Sequence, residues 1–185
     1  DEFEYDKKLN LLTATGNVVA HDKVNDYFIY SNKIIYNKKK EILLTKEKSK
    51  GVSLKDDVTI IADEFEYDIK LNSISASKKV HLKDNNRNYE LNSDFINYSV
   101  NQGQISTNGN SKLIDLNKDT KILAEKFQFN IKKNIIIASN NVNLKNLKKN
   151  FEIYSDEVKY LKNNGEIYTK GNNSANIYSK YTIKT

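Results

Sequence analysis

The chain has no proline, cysteine, methionine or tryptophan. Each absence excludes something. Without cysteine there is no disulfide scaffold and no thiolate metal site within these residues, while the redox compartment stays open. Without methionine there is no initiator, so the sequence reads as a processed or excised segment, with any signal peptide or membrane anchor already gone. Missing proline suits strands that are paired almost everywhere, because proline would break their ladders. No apolar run approaches the roughly 18 residues of a spanning helix. Arginine is nearly absent: of 30 basic residues, 29 are lysine and one is Arg87.

What remains is polar but foldable. Leu, Ile, Val and Phe make up 51 of the 185 residues, above the roughly 20% level that signals disorder. Ile and Tyr favour strands, and Asn and Lys favour turns and wet faces. The net charge of +6 invites a nucleic-acid reading. Bidentate recognition of phosphate and base edges favours arginine, however. Along the sequence the lysines are scattered among Asp and Glu and form no single stripe. The reading is a solvated β surface with lysines guarding strand edges, and no nucleic-acid partner.

A repeat organises the chain. Residues 1–6 recur unchanged as residues 63–68, an offset of 62, and half that offset also holds. Tyr5, Tyr36, Tyr67, Tyr98, Phe129 and Tyr160 are spaced by 31. So are Phe3, Ile34, Phe65, Ile96, Phe127 and Val158. A third series is Leu12, Leu43, Ile74, Ile105, Ile136 and Ile167, and a fourth is Ile29, Ile60, Leu91, Ile122 and Ile153. Residues 1–185 are therefore expected to form one domain of six repeats, near 1–31, 32–62, 63–93, 94–124, 125–155 and 156–185. The doubled period shows where Ala14, Ala76 and Ala138 alternate with Thr45, Thr107 and Thr169, and Val18, Val80 and Val142 with Ser49, Ser111 and Asn173.

Apolar residues alternate with period two in short runs such as Phe65/Tyr67, Ile74/Ala76 and Val80/Leu82, which is strand periodicity. Turn signals fall twice per repeat, at 68–72 and 84–88 for example. Ile60 and Phe65 both fit core series yet have opposite parity. The strand must flip between them, at the small–acidic pair Ala62-Asp63, and Gly16, Gly109 and Gly171 mark the matching bend on the other strand. The expected fold is all-β: stacked bent antiparallel hairpins forming a two-sheet trough roughly 55 Å long. An uncapped edge of such a stack either continues in the parent chain or receives a partner strand.

Other signals carry no chemistry. Asp1, Asp63, Asp94, Glu125 and Asp156 would lie about 9.6 Å apart, too far to share a calcium ion. They read as acceptors for backbone N–H groups at the bend. His21 and His81 have no metal-ligating neighbours in register, and no Ser-His-Asp set or phosphate loop is visible. Neither a metal nor a cofactor is expected, and no enzyme.

The unit 62–68, followed by Asn72, Ile74, Ala76 and Val80-His81-Leu82, resembles the OstA-like repeat of the LptA-type lipopolysaccharide-transport proteins. So does the segment Ala14-Thr15-Gly16-Asn17-Val18, with Thr107-Asn108-Gly109 as its alternate form. The likeness spans essentially the whole chain and is greatest to the N-terminal periplasmic domain of the LptD-type member, although the lack of cysteine sets aside disulfides to a barrel. It implies a β-jellyroll, or β-taco, that guides lipopolysaccharide acyl chains along an apolar trough at the periplasmic side of the outer membrane. The interior rows would be lipid-binding: the Phe3 and Leu12 series, Ile60, Leu91 and Ile122, with Val80, Leu82 and Val142. Implied partners are lipopolysaccharide, an LptA-type bridge protein added edge to edge, and an outer-membrane β-barrel in the same chain with its lipoprotein plug. From the residues alone, a structural or adhesive β-solenoid with a closed core and no lipid ligand stands as the alternative.

Overall fold

Four-residue turns recur along the chain at intervals of fifteen or sixteen residues, and most are built the same way. An Asp or Asn closing one strand accepts backbone N–H bonds from the turn: Asp6 from Lys8 and Leu9, Asp22 from Val24 and Asn25, Asp68 from Leu71, Asp84 from Arg87. The last turn residue is left-handed: Asn10, Asp26, Glu41, Asp57, Asn72, Asn88, Gly103, Asp119, Asn134, Asn150 and Gly165 all have positive φ. Asn, Asp and Gly tolerate that conformation best.

Between the turns the chain is strand. The computed structural model describes residues 2–117, 119–177 and 181–184. The elements are β1 (Glu2–Asp6), β2 (Leu11–Asp22), β3 (Tyr27–Asn37), β4 (Ile42–Lys46), β5 (Ser49–Ser53), β6 (Val58–Ala62), β7 (Glu64–Asp68), β8 (Ser73–Asp84) and β9 (Tyr89–Ser99). They continue as β10 (Gln104–Asn108), β11 (Ser111–Asp115), β12 (Thr120–Ala124), β13 (Lys126–Asn130), β14 (Ile135–Asn146), β15 (Phe151–Leu161), β16 (Glu166–Lys170), β17 (Ser174–Ile177) and β18 (Tyr181–Lys184). Among the described residues there is no helix.

The registers sort these strands into two antiparallel ladders. The first sheet runs β1, β2, β3, β4, β7, β8, β9, β10, β13, β14, β15, β16, using one half of each long strand. The second runs through the other halves: β2, β3, β5, β6, β8, β9, β11, β12, β14, β15, β17, β18. Each strand path from β2 to β17 therefore bends once and serves both sheets, which is the β-jellyroll expected above.

The corners alternate, and this explains the doubled period. Long strands turn through a bulge, with register shifts between Thr15 and Val18, Ser77 and Val80, and Ser139 and Val142. At the bulges Gly16, Lys78, Lys79, Asn140 and Asn141 have positive φ. The other strands break outright, at 47–48, Asp63, 109–110, Glu125 and 171–173. A broken ladder leaves backbone donors that must find partners. Thr45 Oγ1 accepts from the Phe65 N–H at 3.0 Å and Thr107 Oγ1 from the Phe127 N–H at 2.9 Å. Ser31 and Ser49 hydroxyls meet at 2.9 Å, as do Ser93 and Ser111. The interior Ser and Thr of the repeat thus stitch the broken corners, while Ala14, Ala76 and Ala138 sit at the bulged ones.

Between the sheets lies one apolar core. The Phe65 ring lies 3.5 Å from the point where a Cβ on Gly51 of the opposite sheet would stand. Tyr27 meets Tyr67 edge-on at 5.9 Å, and Tyr89 meets Phe129 at 5.1 Å, again across the two sheets.

Candidate functional site

The rows read from the sequence point into this interior. Ile34, Phe65, Ile96, Phe127 and Val158 are buried, as are Leu43, Ile74, Ile105 and Ile136. Ile60, Leu91, Ile122, Val80, Leu82 and Val142 are buried too, and Ile167 is half-buried against them. The first rung differs. Phe3 is 72% exposed and Leu12 36%, because no described strand covers the far side of β1. Together with Ala14, Val18, Ile34 and Leu43 they line an apolar cavity of about 470 Å³. Deeper in, a void of about 20 Å³ lies beside Tyr27, Gly51 and Phe65. The interior is open at the first repeats and packed beyond them.

Burial also marks the tyrosines of the interior. Burial pushes the Tyr98 and Tyr160 hydroxyls up to about 12, with nearby carboxylates adding to the shift. Burial pushes Tyr27, Tyr67 and Tyr89 higher still. Tyr67 adds a hydrogen bond to Asp22 at 2.5 Å. Burial alone would raise the Asp22 carboxyl. The bonds it accepts from Tyr67, the Asn25 side chain and two backbone N–H groups outweigh that and hold it below the ordinary value.

The long side of the trough opposite the corners is a seam between two rims of turns. One position of the first-sheet turns decides how it closes: Lys7, Lys38, Ile69, Val100, Ile131 and Lys162 share a register. Ile69 and Val100 pack against the core and Ile131 is buried within it. In the last of these turns Lys162 is 3.1 Å from the buried Asp115 carboxylate of the opposite sheet and 3.9 Å from the Tyr89 ring centre. Near the first repeats the rims are bridged by Asn72 Nδ2 to Asn25 Oδ1 at 3.0 Å and by the Tyr67–Asp22 bond. Sequence reasoning did not pick out this register. Its alternation of Ile and Val with Lys at a spacing of 31 was the available signal.

Some of the lysines gather in space. The six turns of the first sheet hold nine lysines and one acid, Glu41. Consecutive turns bond to each other: Lys38 N to Asn10 O, Ile69 N to Glu41 O, Val100 N to Asn72 O, Ile131 N to Gly103 O and Lys162 N to Asn134 O, all at 2.9–3.1 Å. The result is a basic ridge. Among the described residues the turns of the second sheet hold five basic and four acidic residues. Residues 31 apart cannot be seen as neighbours until the repeat is stacked, which is why the sequence reads as mixed.

The acidic ladder lies at the corners, bonded to the neighbouring strand. Asp156 accepts the backbone and side-chain N–H groups of Asn172 at 2.9 and 3.0 Å. Asp94 accepts from the Asn110 side chain, and Glu125 from those of Asn140 and Asn141. Asp63 faces Lys79 at 3.9 Å, and Asp1 lies outside the described residues. No group of three or more potential metal ligands occurs among the described residues. His81 Nδ1 bonds Asn92 at 2.9 Å, and His21 stacks on Phe28 at 4.0 Å.

No known family profile matches the sequence, and no curated protein matches it. The fold is similar to the crystal structure of LptH from Pseudomonas aeruginosa, described as the LptA-homologous periplasmic component of the conserved lipopolysaccharide transport device. The two share 13% identity with a TM-score of 0.55, over 62% of this chain and 82% of that one. Likeness at that identity establishes an LptA-like fold.

Proposed function

We propose that residues 1–185 are one periplasmic module that binds lipopolysaccharide and guides its acyl chains along the interior between the two sheets, without enzymatic activity. The carrying observation is the continuous apolar interior, roofed in its middle by three turn residues and open over the first repeats. Each buried CH₂ contributes about 0.8 kcal/mol. Transit requires that successive rungs bind about equally, which a regular repeat supplies. The likeness to LptH supports the reading. So does the basic ridge beside the seam, where phosphates and acidic sugars of such a lipid would meet screened attraction. In the finer form of the proposal the chain is the N-terminal domain of an LptD-type protein. Its edge strand receives an LptA-type bridge protein, and a barrel with its lipoprotein plug anchors it to the outer membrane.

Photo-crosslinking tests this. A crosslinking residue at Phe65 or Phe127 is expected to give lipopolysaccharide adducts, and one at the exposed Glu66 is not. Equal adducts at all three, or none, overturn the proposal. The close packing beyond the first repeats favours the second reading, a structural β-solenoid with a closed core, which predicts no adducts anywhere.

A further inference from the structure

The protein has three glutamines, Gln102, Gln104 and Gln128, and all three line one groove of about 520 Å³ on the outer face of the first sheet. They come from a turn and from two adjacent strands, β10 and β13. The repeat does not require them. At the register of Gln104 the other repeats carry Leu11, Ile42, Ser73, Ile135 and Glu166, and at that of Gln128 they carry Glu4, Ile35, Glu66, Asn97 and Lys159. Chain composition does not explain them either, since asparagine is the abundant amide here. We propose that this groove binds a neutral oligosaccharide.

The lining chemistry carries the assignment. Asn97 and Asn130 flank the glutamines, with Ser99 and Ser106 between, and none of the thirteen lining residues is a carboxylate. Primary amides donate and accept at once, which matches the paired hydroxyls of a sugar ring. Half-exposed Ile135 and Ile137 form an apolar strip at one side, suited to the C–H face of such a ring. The volume lies within the roughly 300–1,000 Å³ of small-molecule sites. Asn97 is held by bonds from its Nδ2 to Ser73 and Ser75 at 3.3 and 2.9 Å, so part of the surface is preorganised. A peptide strand does not fit, because β9, β10, β13 and β14 are paired on both sides. An anion would find two lysines, Lys133 and Lys159, but no free backbone donors, since the strand N–H groups are spent in the ladder. No aromatic ring is exposed here for stacking, so the binding is expected to be weak.

Selective ¹⁵N-glutamine labelling reads the site directly, because only three side-chain amides report. Titration with maltohexaose and with chitohexaose is expected to shift the Gln104 and Gln128 side-chain signals saturably for at least one of them, with Kd of about 1 mM. Gln104→Ile and Gln128→Ile place there what the second repeat already carries, so the fold persists. They are expected to weaken binding by about tenfold or more, the effect of losing 1.4 kcal/mol. No shift with either neutral sugar, or shifts unchanged in both variants, overturns the proposal. So does a shift seen only with a sulfated saccharide, which would assign the contact to the lysines. No lipid enters the experiment, so its failure leaves the reading of the interior untouched.

Discussion

Glu41 occupies a turn-closing position that elsewhere holds Asn, Asp or Gly, and its φ is 57°. A Cβ in that conformation costs roughly 1–2 kcal/mol that glycine does not incur. Glu41→Gly is therefore expected to raise stability by about 1 kcal/mol, read as a higher urea midpoint with an unchanged slope. Asp22 works in the opposite sense. Its carboxyl is held below the ordinary value in the folded protein, so its contribution is complete above that value and is lost as pH falls through the lowered one. Tyr67→Phe removes the largest of the bonds that lower it. The variant is expected to lose stability at neutral pH and to show a shallower decline on acidification than the parent, in melts taken from pH 6 downward.

The corner is where an element depends on a single hydroxyl. Phe127 N–H at the start of β13 has Thr107 Oγ1 as its acceptor, and that pair is buried. Thr107→Val keeps the shape and removes the acceptor, and is expected to cost about 1–3 kcal/mol. Thr107→Ser should recover most of it. Gly109, beside it, has φ of 77°, and a Cβ there would lie 2.6 Å from Asp94 Oδ2. The elements themselves are legible in the amino-acid order. Strand periodicity, the turns after Tyr67 and Leu82, and the flip at Ala62-Asp63 all follow from parity and spacing, because a half-buried strand forces alternation. Why the period doubles is not legible there. Bulged and broken corners differ in which backbone donors they leave over, and that accounting needs both strands in register. The exposure of Phe3 and Leu12 escapes for a related reason. A series marks which face a residue takes, not whether the next rung exists to cover it.

At the scale of the molecule the seam is held by side chains at separate stations. Lys162 joins the last first-sheet turn of the row to buried Asp115. Lys162→Met removes this cation from the buried carboxylate and is expected to lower stability, by up to about 3–5 kcal/mol. If the interior conducts lipid through the seam, replacing Val100 and Ile131 together by Ser should increase adducts at Phe127 while lowering the melting temperature. Adducts that stay at the parent level would place the route elsewhere. The candidate interior is legible in the sequence as rows of side chains, but its roof is not, since Ile69, Val100 and Ile131 lie in segments that read as turns. Nor is the basic ridge, whose members meet only after stacking.

The bonded turns of the first rim form a continuous spine. Each turn is tied to the next through one backbone hydrogen bond, whereas contact with the opposite rim is made by individual side chains at separate stations. Such a seam has no reason to gape along its whole length at once. Lifting one roofing residue costs only that residue's contacts, and the neighbouring turns keep theirs. If the interior carries lipid as proposed, an opening can advance like the slider of a zip fastener, one repeat ahead of the lipid and closing one repeat behind. The gap is always short, and the barrier to moving it does not grow with the number of repeats.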